Sequence, residues 1–168
     1  VLVLCPSLTI EDGLLRKFTA FIETHEFSAI LRELGAAVAI PGLKRGNETI
    51  QRGDICIENI HAVYENAGSS IADSFRGVGT RTLVLNDEAH HAYRPKLLMG
   101  TEKLSAEEKA EREEATVWIA GLDRINQACG IRFVVDLSAT PFYLAGSGTI
   151  EGSPFPWLAA DFGLVDAI

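Results

Sequence analysis

Five short apolar runs, each stopped abruptly by a turn or polar residue, constrain the fold of this chain more than any other feature. Val1-Leu-Val-Leu-Cys5 ends at Pro6, and Ala36-Ala-Val-Ala-Ile40 ends at Pro41-Gly42. Asp54 to Glu58 follows the polar loop 44–53, and Arg81 to Asn86 and Ile131 to Asp136 complete the set. Runs this short and continuous, partly β-branched, read as strands covered on both faces. Between the first two, Leu14, Leu15, Phe18, Phe21 and Ile22 recur at helical spacing behind Thr9-Ile-Glu-Asp12, which has the form of a helix cap with an acid in the first turn. Ser28 is the expected start of a second helix that Gly35 closes. Residues 59–75 are mixed and partly helical. Thr101 to Gln127 predicts a long helix, with capping-box spacing at Ser105-Ala-Glu-Glu108 and Trp118, Leu122 and Ile125 on one face. Its first half, 102–114, carries six acids and three bases, the pattern of a solvated face. Strands separated by helical segments require crossover connections, so the expected fold is α/β with a parallel β-sheet flanked by helices.

A chain of 168 residues, 47% apolar and 23% charged, has the length and composition of one soluble domain or part of one. The formal net charge of −8 excludes a module that grips nucleic acid by charge alone. Cys5, Cys56 and Cys129 are odd in number and far apart, which fits buried thiols in a reducing cytosol rather than disulfides or a zinc knuckle. No apolar stretch approaches the roughly 18 residues of a membrane span, and the first residues lack the features of a signal peptide. A cytoplasmic protein with no membrane partner is expected. The chain starts inside an apolar run without a methionine, so the natural protein is expected to extend upstream. After Pro141 the composition turns to Gly, Ser and Pro, as in a loop.

In parallel sheets the chemistry sits at the carboxyl ends of the strands, and the informative residues fall there. Leu83-Val-Leu-Asn-Asp-Glu-Ala-His90 is an apolar strand ending in two adjacent carboxylates. Nucleotide hydrolysis needs such a pair, one acid to hold Mg²⁺ through water and a second to orient the attacking water. Asp87 suits the first role and Glu88 the second. The next strand ends in Asp136-Leu-Ser-Ala-Thr-Pro141.

Together these segments resemble superfamily 2 helicases of the DEAD/DEAH type. The order Asn-Asp-Glu-Ala-His-His, charged insertion, Asp-Leu-Ser-Ala-Thr-Pro looks most like the helicase (Res) subunit of type III restriction enzymes. The resemblance implies a RecA-like motor lobe using ATP and Mg²⁺, in which His90, Ser138, Ala139 and Thr140 couple hydrolysis to lobe movement. Pro6, Ser7 and Thr9, following the first strand, are similar to the family's nucleic-acid-contacting motif, while Thr9 could equally be a helix cap. At the third strand Glu58 and Asn59 replace the Thr-Thr or Thr-Pro contacts of many relatives, a departure from the pattern. The implied partners are double-stranded DNA, a second helicase lobe, a nuclease domain elsewhere in the polypeptide and a methyltransferase subunit. On this reading residues 1–168 are a partial RecA-like domain, with a charged helical insertion at about 101–127 and a passage toward the second lobe at 142–168.

One departure has direct chemical weight. No Gly-x-x-x-x-Gly-Lys-Ser/Thr or Gly-x-Gly-Lys-Thr occurs in these residues, so the first strand and phosphate loop are missing and these residues alone are expected not to hydrolyse ATP. Two rivals remain. Asp87, Glu88, His90 and His91 could ligate a metal as in a hydrolase, or the shape could serve as a non-catalytic scaffold or DNA-binding module.

Overall fold

In the computed structural model residues 1–34, 40–45, 48–63, 75, 82–92, 106–143, 150, 152–156 and 158 are described, with the backbone alone for 63, 91 and 106–115. The strands are β1 (Leu2–Cys5), β2 (Leu43–Lys44), β3 (Ile55–Asn59), β4 (Thr82–Asn86) and β5 (Ile131–Asp136). The helices are α1 (Leu8–Ile22), α2 (His25–Glu33) and α3 (Ala106–Cys129). Sheet order is β2-β3-β1-β4-β5 and every neighbouring pair is parallel. The expected α/β architecture is therefore present.

The central β1 is buried at all four positions, as its unbroken apolar sequence requires. Leu2, Leu4, Cys56 and Val84 share one core with Trp118, Leu122, Ile125 and Cys129 of α3. Complete burial of a side chain such as Leu4 or Ile125 is worth roughly 1.5–3 kcal/mol. Successive strand residues face opposite ways, so Asn59 lies on the face opposite Cys56, and there Glu11 of α1 meets it. The Thr82 hydroxyl lies 3.6 Å from Cys129 Sγ, and Trp118 Nε1 donates to Asn86 Oδ1 at 3.4 Å. Helix α3 thus runs back along β4, with Cys129 at the start of the strand and Trp118 at its end.

The turns feeding the strands are fixed by side chains. Asp54 accepts from the Gln51 and Gly42 amides, and Gly53 takes φ 102°, a region closed to most residues. Before β5, Gly130 has φ 71° and Asn126 Oδ1 accepts from Ile131 N. A bulge follows: Thr82 pairs with Ile131 but Leu83 pairs with Phe133, so Arg132 is the extra residue on β5.

Local details differ from expectation. The strand beside β3 is Leu43–Lys44, after Pro41-Gly42 rather than before it, and residues 36–39 of the expected strand lie outside the described residues. The cap of α1 is Ser7, not Thr9: β1 ends at Cys5, Pro6 leaves it, and Ser7 is the first hydroxyl in extended backbone, accepting from Ile10 N at 3.4 Å. Thr24 rather than Ser28 caps α2, accepting from Phe27 N at 3.2 Å. The long helix spans Ala106–Cys129, and Gly35, Ser105 and residues 64–74 lie outside the described residues. Within 59–75, Ile60–Val63 forms a 3-10 turn.

Candidate functional site

The residues singled out in the sequence gather at the carboxyl rim of the sheet. Asp87 N–H donates to Leu4 O of β1 at 2.8 Å, and Ala89 N–H donates to Leu137 O beyond β5 at 2.9 Å. The acidic turn is therefore slung between two neighbouring strands. To span that gap Glu88 adopts φ 54°, ψ 41°, the one left-handed non-glycine among the described residues. Such a backbone costs on the order of 1–2 kcal/mol and is kept only where its surroundings impose it.

Glu88 Oε2 lies 3.3 Å from His90 Nδ1, and that nitrogen lies 2.9 Å from Ser138 Oγ. His90 Nδ1 thus stands within reach of both a carboxylate oxygen and a serine hydroxyl. Ser138 Oγ accepts from Thr140 N–H at 3.0 Å. A continuous polar path thus runs from Glu88 through His90 and Ser138 to the backbone after β5. Thr140 enters through its amide, and Ala139 and Thr140 are exposed beside it.

Asp87 is partly buried next to Glu88, and burial first, then the Glu88 charge, push its carboxyl above the ordinary aspartate range. A nearby cation would relieve both effects. The acid pair fits Mg²⁺ held largely through water. A metal caged by protein ligands fits less well, because no group of three His, Cys, Asp or Glu among the described residues is arranged to hold one. The His91 side chain lies outside the described residues.

Ser7 is half-buried and already engaged as a cap, Pro6 is half-buried, and Thr9 is exposed on the first turn of α1. These residues sit at the end of β1, next to β4 in the sheet. Behind them lies a cluster that sequence reading missed. Glu11, 1% exposed, accepts from Asn59 N at 3.0 Å, Asn59 Nδ2 at 2.8 Å and Arg45 Nη1 at 2.7 Å. Arg45 Nη2 also reaches Asp12 at 2.7 Å. Asn59 is thus committed to α1. The nearest signal was an acid in the first turn of a helix, which only a fold can match with Asn59 and Arg45.

A second missed cluster adjoins the acidic turn. Asn86, fully buried, donates through Nδ2 to Asp136 Oδ1 at 2.9 Å and accepts from Trp118. The three thiols are free and buried. Burial pushes Cys5 and Cys56 up to about 12 and raises Cys129, so none is a reactive thiolate at neutral pH.

The sequence model of a protein family described as the type III restriction enzyme, res subunit, matches residues 1–143. The chain belongs to that family. Membership makes it part of a helicase-like ATPase family with a P-loop NTPase fold, and the parallel sheet flanked by helices agrees with a RecA-like domain. The res-subunit match takes in β1 through β5 and the loop after Ser138. No curated protein and no solved structure matches the chain. Among the described residues no helix is long and apolar enough to cross a membrane.

Proposed function

We propose that these residues supply the acidic and coupling elements of an ATP-hydrolysing motor that moves on double-stranded DNA. The reading rests chiefly on one observation: Ser138 Oγ lies 2.9 Å from His90 Nδ1, so two motifs 48 residues apart share one rim. Asp87 would hold Mg²⁺ through water and Glu88 would orient the attacking water. The ion would supply neutralisation of the charge that develops on the phosphates. Glu88 also faces His90, so any change in its hydrogen bonding alters the partner of Ser138. Ser138 and the Thr140 amide would carry that change to the segment following β5 and on toward a second lobe. Pro6, Ser7 and Thr9 would contact the DNA backbone through hydroxyls or the exposed start of α1. In this setting a nuclease domain lies elsewhere in the polypeptide, a methyltransferase subunit is the partner, and the protein works in the cytoplasm.

Residues 1–168 carry no phosphate-binding lysine loop and would not hydrolyse ATP by themselves. That same observation favours the second reading, a non-catalytic scaffold. The codons preceding Val1 separate the two. A Gly-Lys-Thr loop behind a short apolar strand supports the motor, and its absence over about fifty residues supports the scaffold. The direct test is Glu88→Gln in the intact protein. DNA-stimulated hydrolysis is expected to fall on the order of a hundredfold or more, with ATP binding and fold retained. Unchanged turnover would remove Glu88 from its assigned role.

A further inference from the structure

The pairing of β4 with β5 poses a problem that the apolar residues do not solve. After the bulge at Arg132 the register runs Leu83 with Phe133, Val84 with Val134 and Leu85 with Val135. These side chains are nearly interchangeable, so a slip would cost little in packing where β5 is half open to solvent. Yet the position of Ser138 against His90 depends on that register. A one-residue slip displaces the loop by about 3.3 Å and turns each β5 side chain to the other face.

We infer that Asn86 is the positioning residue that locks this register through Asp136, and so holds Ser138 on His90. Asn86 and Asp136 form the last pair of the ladder, and they also share a side-chain hydrogen bond of 2.9 Å. The Asn86 carbonyl accepts from Leu137 N at 2.8 Å, directly before Ser138. From the other side the Asn86 oxygen accepts from the Trp118 indole, which ties the lock to α3. Position 86 therefore needs one donor, aimed at a carboxylate, and one acceptor, aimed at an indole N–H. An amide meets both demands in one orientation. Leucine would meet neither, and aspartate would set two carboxylates against each other. A pair whose amide is fully buried specifies register because a shifted alignment takes the carboxylate away from that amide.

The inference rests on the motor reading for its consequence, though not for its geometry, and the test separates the two. In the intact protein Asn86→Leu, Asn86→Asp and the exchange Asn86→Asp with Asp136→Asn are compared with the wild type and Glu88→Gln. Hydrolysis, nucleotide binding and backbone hydrogen exchange over 82–92 and 131–142 are measured. Both single variants are expected to lose hydrolysis on the order of tenfold to a hundredfold, with nucleotide binding within about twofold, and to exchange faster in both segments. The double exchange restores the donor–acceptor pair with reversed polarity and is expected to recover most of both losses. A loss of general stability would not be repaired by adding a second substitution. If the double exchange is no better than Asn86→Asp, or Asn86→Leu behaves as wild type in exchange, the lock is refuted. Should Asn86→Leu fail to fold, the comparison of Asn86→Asp with the double exchange decides alone. If the wild type does not hydrolyse ATP, the motor reading falls, and the exchange rates over 131–142 still decide the lock.

Discussion

Asp87 illustrates a conflict between stability and chemistry at a single residue. Its carboxyl titrates above the ordinary aspartate range because of burial and the neighbouring Glu88. A carboxylate whose folded pKa exceeds its unfolded one favours folding while protonated, and that contribution is lost as pH rises through the folded value. At neutral pH, without a divalent cation, ionised Asp87 therefore opposes folding. Asp87→Asn is expected to melt higher than the wild type near neutral pH in chelator, with the difference closing as pH falls through the carboxylate range. Thermal melts across that range check it, and a variant that melts lower at every pH would contradict it. Asp87, Glu88 and Ser138 were legible because each ends an apolar strand in an arrangement whose chemistry is distinctive. Asn86 was not, because its partners Asp136 and Trp118 lie 50 and 32 residues away and only the sheet brings them together.

The strands were legible where an apolar run is buried on both faces, as in β1 and β3, or on one face with the other partly covered, as in β4. β2 escaped notice because two residues, one of them Lys44, make no run. The helix starts shifted because Ser7 and Thr9, like Thr24 and Ser28, are all competent caps, and the choice falls to where the preceding element ends. The anchor of α1 was equally hidden. Glu11 satisfies the backbone and side-chain amides of Asn59 and receives Arg45, joining the helix to β3 and to the segment after β2. Glu11→Ala is expected to cost about 3 kcal/mol, because buried amide donors lose their acceptor. Denaturant unfolding measures this, and a loss below about 0.5 kcal/mol would show that water replaces the carboxylate without penalty.

The molecule as a whole is uneven in its coverage. β1 at the centre is sealed, whereas β5, last in the sheet among the described residues, is open, with Phe133 62% and Val134 42% exposed. An exposed apolar strand at the end of a sheet invites strand addition. Residues 1–168 produced alone are expected to self-associate with rising concentration, and Phe133→Lys to weaken that association. Sedimentation velocity would detect it, and a monomer at every concentration would refute it. The parallel alignment also divides labour between the two rims. Asp87, Ser138 and Ser7 stand where strands end, while the Gln51–Asp54 turn and Gly130 stand where strands begin. A fluorophore attached at exposed Arg52 would consequently leave the reacting end undisturbed, so this quiet rim is the natural handle for tethering the protein to a surface.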